Sequence, residues 1–359
     1  MIWLCLVLQR YIIFINFPSL FLILFVTLQQ IMNNLIRFLK DWTLPVSITV
    51  GTVCYLTFYY VPQLDELGTQ LAPVFDVIFP LFVFLTLLVT FCKVDFHQMR
   101  PHRWHTGILI AQLLLIAINI AVILWAKQSD SSLFLEGPGE VALLCEAVLT
   151  CIIGPAASAA PVVTGKLGGN ISTMTTYVLI SSLTSALLIP LVFPMLEQTV
   201  HVAFFDAFLI ILQKVSIVLL LPLVLGWFIQ HFAKRLCQWV VSKPNLSFYC
   251  WAISLSITTG ITVKNIVHSE ATLSLLLAIA AATFVLCWVQ FGIGRVIGRH
   301  LGEEVNAGQA LFQKNTALSI WVAYMYLHPV ASIGAGCYVL WQNIINSLEL
   351  WQYRKMSDG

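Results

Sequence analysis

Ten apolar runs, each long enough to cross a lipid bilayer as a helix, occupy most of the sequence between residues 44 and 350. A hydrocarbon core about 30 Å thick requires roughly 20 such residues. Only 9% of the residues are charged, whereas a soluble domain carries about a quarter. The sequence therefore predicts an all-α polytopic membrane protein with a ten-helix core. The predicted spans are residues 44–61, 74–92, 105–126, 140–164, 171–195, 203–230, 246–264, 271–297, 305–327 and 329–350.

A further hydrophobic segment, residues 1–31, precedes these ten spans. No basic stretch precedes its apolar run and no small-residue cleavage site follows it, which disfavours a signal peptide. Met32 is followed by the basic sequence NNLIRFLKDW and would also serve as a start. We therefore expect residues 1–31 either to form an extra, peripheral N-terminal helix or to lie outside the native product.

Lysine and arginine residues fall almost entirely on one side of the membrane when consecutive spans are given alternating directions. Thirteen lie on that side, and only Lys127 and Lys264 lie on the other. Because cytoplasmic loops carry the excess of Lys and Arg, both termini of the core are predicted to be cytoplasmic, in a multi-pass protein of the plasma (inner) membrane. The thirteen are Arg37, Lys40, Lys93, Arg100, Arg103, Lys166, Lys234, Arg235, Lys243, Arg295, Arg299, Arg354 and Lys355.

The ten spans divide into two sets of five, residues 41–195 and residues 203–352. Because five is odd, the second set enters the membrane from the opposite side, as in the inverted repeats of secondary transporters. The fourth span contains GPAASAAP, with Gly154, Pro155 and Pro161, and the ninth contains the polar cluster QKNT. Proline removes a helical donor and clashes with the preceding turn, so the fourth helix is expected to break there. Interrupted spans at corresponding positions of two halves indicate a transport site.

Lys314 lies inside the ninth span, ten residues after Glu304. A helix rises about 1.5 Å per residue, so Lys314 is expected about 15 Å deep, near the middle of the hydrocarbon core. An ionisable side chain at that depth must face protein or water, and it usually belongs to a functional site. The neighbouring polar residues expected to share this substrate or ion site are Gln309, Gln313, Asn315 and Thr316.

Several stretches in spans four, five, six, nine and ten resemble the bile acid:sodium symporter family, and the resemblance extends over residues 41–352. It implies ten helices in two inverted five-helix repeats, a panel part and a core part, with spans four and nine unwound and crossing near the midplane. Members of the family carry organic anions, often together with sodium. The matching stretches are CIIGPAASAAPVVTGKLGGN (151–170), SSLTSALLIP (181–190), KVSIVLLLPLVLG (214–226), KNTALS (314–319) and WQNIINSLE (341–349).

Few of the family's sodium ligands have counterparts in this chain. Gln112, in the sequence IAQ, and Ser158 match ligand positions of the family. The asparagine expected after Ser158 is replaced by Ala159, and two oxygen ligands of the fifth span are replaced by Met174 and Val178. In the ninth span, the glutamate and glutamine of the family fall on an alanine and a lysine, Ala310 and Lys314.

Sodium coupling by the family mechanism is therefore not expected, because a hard cation needs several oxygen ligands. The tethered ammonium of Lys314 would also repel sodium. The alternative is that sodium binds at a rearranged site formed by Gln112, Ser158, Gln313 and backbone carbonyls.

Four roles remain open for Lys314. It could be a built-in cation that steadies the crossing, a group that exchanges a proton during transport, or a direct ligand for the carboxylate or sulfonate of a substrate. It could also be a structural lysine paired with Glu146 or with a carbonyl. Glu146, which lies in the fourth span ahead of its break, could alternatively carry the transported proton itself.

The sequence predicts a secondary transporter that moves a small organic anion, driven by the substrate gradient or by protons. The expected partners are that anion and the lipid bilayer, and no nucleic acid is expected. No metal-ligand spacing or phosphate-binding loop is present, so no cofactor is predicted apart from sodium or a proton as a coupling ion. A membrane-embedded enzyme is disfavoured because the chain lacks an HExxH motif and a clear Ser–His pair. A sensor is disfavoured because no additional soluble domain is present.

Overall fold

The computed structural model describes residues 27, 29–30, 43–94, 99–128, 139–196, 204–243, 246–269 and 271–357. Over these residues the regular structure is helical, and no strand is present. The α-helices are α1 (Thr43–Tyr60), α2 (Asp65–Lys93), α3 (Arg103–Gln128), α4 (Glu140–Ile153), α5 (Ala160–Lys166), α6 (Ile171–Leu196), α7 (Phe204–Phe232), α8 (Lys234–Val241), α9 (Leu246–Val267), α10 (Leu273–His300), α11 (Glu304–Phe312), α12 (Thr316–Tyr326) and α13 (Ala331–Ser357).

Five of these helices are long and apolar enough to cross a membrane: the Pro73–Lys93 part of α2, together with α3, α6, α7 and α10. Large apolar side chains on their outer faces are exposed, including Ile118, Leu187 and Leu277 at 61–63%. Such surface would be unfavourable in water but is suited to lipid tails. The chain is therefore an all-α protein with the character of a multi-pass membrane protein, as the sequence predicted.

Eight of the ten predicted spans correspond to one helix each, and the fourth and ninth correspond to two. The fourth is divided into α4 and α5, and the ninth into α11 and α12. A short helix absent from the prediction, α8, carries Lys234 and Arg235 at its start. The predicted N-terminal helix falls on residues 1–31, of which 1–26, 28 and 31 lie outside the described residues.

The helices pack as two groups. In the first group, α1 packs against α9, α9 against α2, and α2 against α7, whereas α3 to α6 and α10 to α13 pack around the two interrupted spans. The groups meet mainly where α6 lies against α7. The largest buried apolar cluster extends across this boundary and includes Phe91, Leu149, Phe193 and Leu219.

A close contact between α4 and α13 positions the last helix beside the interruptions. A Cβ atom at Gly334 would lie 2.3 Å from the carbonyl oxygen of Ala147, so only glycine allows the two helices to approach so closely. The next two turns of α13 consequently pass the break between α4 and α5, which brings polar residues such as Gln342 into the interior.

Candidate functional site

The two interrupted spans meet at their interruptions. The backbone N–H of Ala157 donates to the carbonyl of Gln313 at 2.8 Å, and the N–H of Asn315 donates to the carbonyl of Pro155 at 2.9 Å. These bonds form an antiparallel bridge between Ala156 and Lys314. Each extended segment has left its own helix, and each satisfies backbone groups of the other that lipid could not satisfy.

The local sequence explains where the fourth span breaks. Pro155 has no N–H to donate, and Gly154 before it is extended, with φ −61° and ψ 151°. Gly154 also lies against Ser319, because a Cβ there would come within 2.3 Å of the Ser319 hydroxyl oxygen. Pro161 lies in the first turn of α5, where its fixed φ suits a helix start.

The ninth span resumes its helix through a side-chain cap. The side-chain oxygen of Asn315 accepts a hydrogen bond from the N–H of Leu318 at 3.2 Å, at the start of α12. Thr316, the first residue of α12, is buried. Asn315 and Thr316 therefore lie at the crossing, and both contribute to the helix start.

The carbonyls at the end of α4 are satisfied by side chains from α3 and α6. The Gln112 amide nitrogen donates to the carbonyls of Ile152 at 2.9 Å and Gly154 at 3.3 Å, while its oxygen accepts from the Tyr177 hydroxyl at 3.3 Å. The Ser185 hydroxyl donates to the carbonyl of Ile153 at 2.7 Å. Gln112 thus holds the broken end of α4 in place, and its amide is already engaged by protein groups.

Lys314 is held by its backbone and buried along its side chain. Its N–H donates to the Gln342 side-chain oxygen at 3.0 Å, and its carbonyl accepts from the Gln342 amide at 3.3 Å. The residue is 1% exposed, and its Nζ atom has no hydrogen-bond partner among the described residues. The ammonium therefore faces the protein interior and not the lipid.

The proposed pairing of Glu146 with Lys314 is wrong. The Glu146 carboxylate lies 2.8 Å from the ammonium of Lys127, which also donates to the carbonyl of Leu196 at 2.7 Å. Glu146 lies two turns ahead of the break, whereas Lys314 lies at the break itself. Lys127, at the end of α3, consequently reaches Glu146 and Lys314 does not.

Gln309 belongs to a second polar cluster, one turn from the crossing. Its amide donates to the Glu349 carboxylate at 2.5 Å, and Glu349 also forms an ion pair with Arg295. Arg295 contacts Glu304 at 3.2 Å, and Glu304 contacts Arg299 at 2.9 Å. The cluster joins α10, α11 and α13 at one end of the bundle. The sequence interpretation had included Gln309 but not Glu349.

The remaining predicted residues lie in the two extended segments. Gln313 is 5% exposed, and its side-chain oxygen has no partner among the described residues. Ser158 is half-buried in the turn that leads into α5. The structure thus brings Gln313, Lys314, Asn315 and Thr316 to the same crossing as Ser158.

Sequence reasoning missed the polar residues that surround the crossing from α10 and α13. The Gln290 amide donates to the Tyr338 hydroxyl at 3.0 Å, which in turn donates to the carbonyl of Phe312 at 2.7 Å. On α13, Gln342, Asn346 and Glu349 are all buried. Their spacing of four and three residues places them on one helix face. Polar residues at this spacing within an apolar span were the available signal.

Within the described ranges, no three His, Cys, Asp or Glu side chains come together as a metal site of those residues would require. No protein-family model matches the chain, and no curated protein matches it.

Proposed function

We propose that this chain is a secondary transporter that moves a small organic anion across the membrane by alternating access, without sodium coupling of the symporter-family type. The observation that carries the proposal is the crossing of two interrupted spans around the buried ammonium of Lys314. Helix interruptions within the membrane are tolerated where they line a protein-enclosed site, which is where transporters bind substrate.

We further propose that residues 41–195 and 203–352 are two inverted five-helix repeats. Each half breaks its fourth span, and the two breaks contact each other. The packing group of α1, α2, α7 and α9 contains the first two spans of each half. Spans at equivalent positions in the two halves therefore belong to the same packing group. A movement of one group against the other would expose the crossing to each side of the membrane in turn.

The charges of the interior favour an anionic substrate. Among the described residues, Glu146 lies beside Lys127 and Glu349 beside Arg295, whereas no carboxylate forms an ion pair with Lys314. A buried charge without a partner is costly, and a bound carboxylate or sulfonate would offset that cost. The other roles considered for Lys314, steadying the crossing and exchanging a proton, are compatible with the same site in the absence of substrate.

The surroundings of the family's sodium positions argue against that mode of coupling. Met174, Val178 and Ala310 are at most 1% exposed and offer no side-chain oxygen. The Gln112 amide is engaged by carbonyls at the end of α4. A rearranged sodium site with Gln112, Ser158, Gln313 and backbone carbonyls is the second candidate, favoured by the Gln313 side-chain oxygen, which has no partner in the described part of the chain.

Uptake into proteoliposomes tests this proposal. We expect uptake of an organic anion that persists when sodium is replaced by choline and that falls at least tenfold in Lys314→Gln. The matched control is Lys214→Gln, at an exposed lysine within α7, which should transport normally. A strict sodium requirement would favour the rearranged ion site, and unchanged uptake by Lys314→Gln would remove Lys314 from the mechanism.

A further inference from the structure

Several polar atoms at the crossing are buried without hydrogen-bond partners, and most of them are acceptors. Besides Lys314 Nζ, these are the side-chain oxygens of Gln313, Ser319 and Gln290, for which the described residues provide no partner. The four residues are 0–5% exposed. The set therefore combines one cationic donor with two amide oxygens that can only accept and one hydroxyl.

All four side chains are connected to the two interruptions. Gln313 and Lys314 form the break of the ninth span. The Ser319 hydroxyl lies against Gly154 in the break of the fourth span. Gln290 is tied by its amide nitrogen to the carbonyl of Cys151 at 3.4 Å, at the end of α4. Residues from α10, α12 and the ninth-span break thus converge on one region.

The orientation of the Gln290 amide follows from its partners. A carbonyl such as that of Cys151 can only accept, so the Gln290 nitrogen must face it and the oxygen remains free. The same reasoning applies to Gln309, one turn away, because its nitrogen must face the Glu349 carboxylate. The Gln309 oxygen and the Asn346 oxygen also lack partners in the described part of the chain. The excess of acceptors therefore extends from the crossing towards α13.

A ligand that satisfies this region needs two properties. It must carry negative charge for Lys314, and it must bring O–H or N–H donors for the free oxygens. Among the described residues, Lys127 and Arg295 already form ion pairs with Glu146 and Glu349, so Lys314 is the positive charge at the crossing that remains to be neutralised. A ligand with two negative charges would leave one of them unmatched.

We propose that the substrate is a monoanion bearing hydroxyl donors, such as a hydroxylated carboxylate, and not a predominantly apolar organic anion. This inference rests on the proposed function, because it identifies the crossing as the transport site. Buried water could satisfy the same oxygens, and it would then give no preference for donor-bearing ligands.

Matched ligands separate these possibilities. Binding to the purified full-length chain is measured by thermal shift and by calorimetry with a three-carbon series, propionate, lactate and glycerate, and a six-carbon pair, hexanoate and gluconate. In at least one series the donor-bearing anions should bind at least tenfold more tightly than the plain acid. Glyceramide, the neutral amide of glycerate, and the dianion tartronate should both bind at least tenfold more weakly than glycerate.

Two variants assign the two properties to separate groups. Gln313→Leu removes an acceptor and should reduce the preference for donor-bearing over plain anions at least fivefold, while the preference for an anion over a neutral amide remains. Lys314→Gln should abolish the preference for the anion. Ser319→Ala is a smaller change that tests the same acceptor role if Gln313→Leu does not fold, and Lys214→Gln should bind as the parent does.

Equal binding of plain and donor-bearing anions, or no binding by either series, would overturn the inference. Uptake keeps this outcome separate from that of the transporter proposal. Lys314-dependent uptake of apolar anions alone would retain the transporter and overturn the donor-bearing substrate. Lys314-dependent binding of hydroxylated anions without uptake into proteoliposomes would retain the substrate class and overturn transport.

Discussion

Lys127 and Lys314 lie in different environments, the first partly exposed and the second buried. Lys127 is 35% exposed in its side chain and lies 2.8 Å from the fully buried carboxylate of Glu146. Lys314 is buried, and none of the described carboxylates forms an ion pair with it. The burial of Lys314 could be predicted from its position inside an apolar span, where an ionisable side chain must face protein or water. Its lack of pairing with Glu146 could not, because partner choice depends on which helices pack together.

Lys127 and Glu146 differ in exposure, which predicts that removing one charge or the other changes the free energy of unfolding by different amounts. Lys127→Met removes the nearby cation from a carboxylate that cannot reach solvent. We expect the free energy of unfolding to fall by about 3 kcal/mol, the usual order for breaking a buried pair. Glu146→Gln leaves a lysine that is partly exposed and still bonded to the carbonyl of Leu196, so the loss should be smaller. Denaturant unfolding in detergent measures both. Equal losses, or a larger loss for Glu146→Gln, would contradict this account.

At the scale of elements, the residues themselves predicted the two breaks, whereas the contact between the breaks was expected only from the family resemblance. Pro155 and Pro161 predict an interruption of the fourth span, and the polar cluster at Gln313 predicts one of the ninth. The bridge between Ala156 and Lys314 joins segments about 160 residues apart, and no local pattern of the kind that defines a helix specifies such a register. The hydrogen bonds of this bridge are visible only in the structure.

The close approach of the two breaks predicts a rescue. Gly154→Ala places a Cβ 2.3 Å from the Ser319 hydroxyl oxygen, and we expect a destabilisation of about 1–3 kcal/mol from overpacking. Ser319→Ala removes that oxygen and leaves its own Cβ 3.7 Å away, an ordinary contact. The free energy of unfolding of the double variant should therefore be close to that of Ser319→Ala alone. If a double-mutant cycle gave additive effects of the two substitutions, α12 would not approach Gly154 as described.

At the scale of the whole molecule, the sequence predicted the helical class and the positions of the ten apolar spans. The family resemblance implied a panel part and a core part, but the sequence did not predict which helices pack together, since the pairing of α2 with α7, or of α4 with α13, depends on side-chain complementarity between distant segments. It also did not predict α8, because a basic helix of eight residues resembles a polar loop in composition. The predicted direction of the chain in the membrane depends on charge counting alone.

Labelling from each side of the membrane tests that direction. Lys264, at the end of α9, and Arg299, at the end of α10, are both exposed, and the intervening span should place them on opposite faces. A membrane-impermeant maleimide should label Lys264→Cys in intact cells or spheroplasts, and it should label Arg299→Cys only after the membrane is permeabilised. The unsubstituted chain gives the background from native cysteines such as the exposed Cys54. Labelling of both positions from outside would contradict an odd number of membrane crossings between them. The reverse pattern would contradict the cytoplasmic location of the thirteen basic residues. The inverted-repeat proposal requires an odd number of crossings between these two positions, because α10 must cross the membrane completely for the ninth span to meet the fourth from the opposite side.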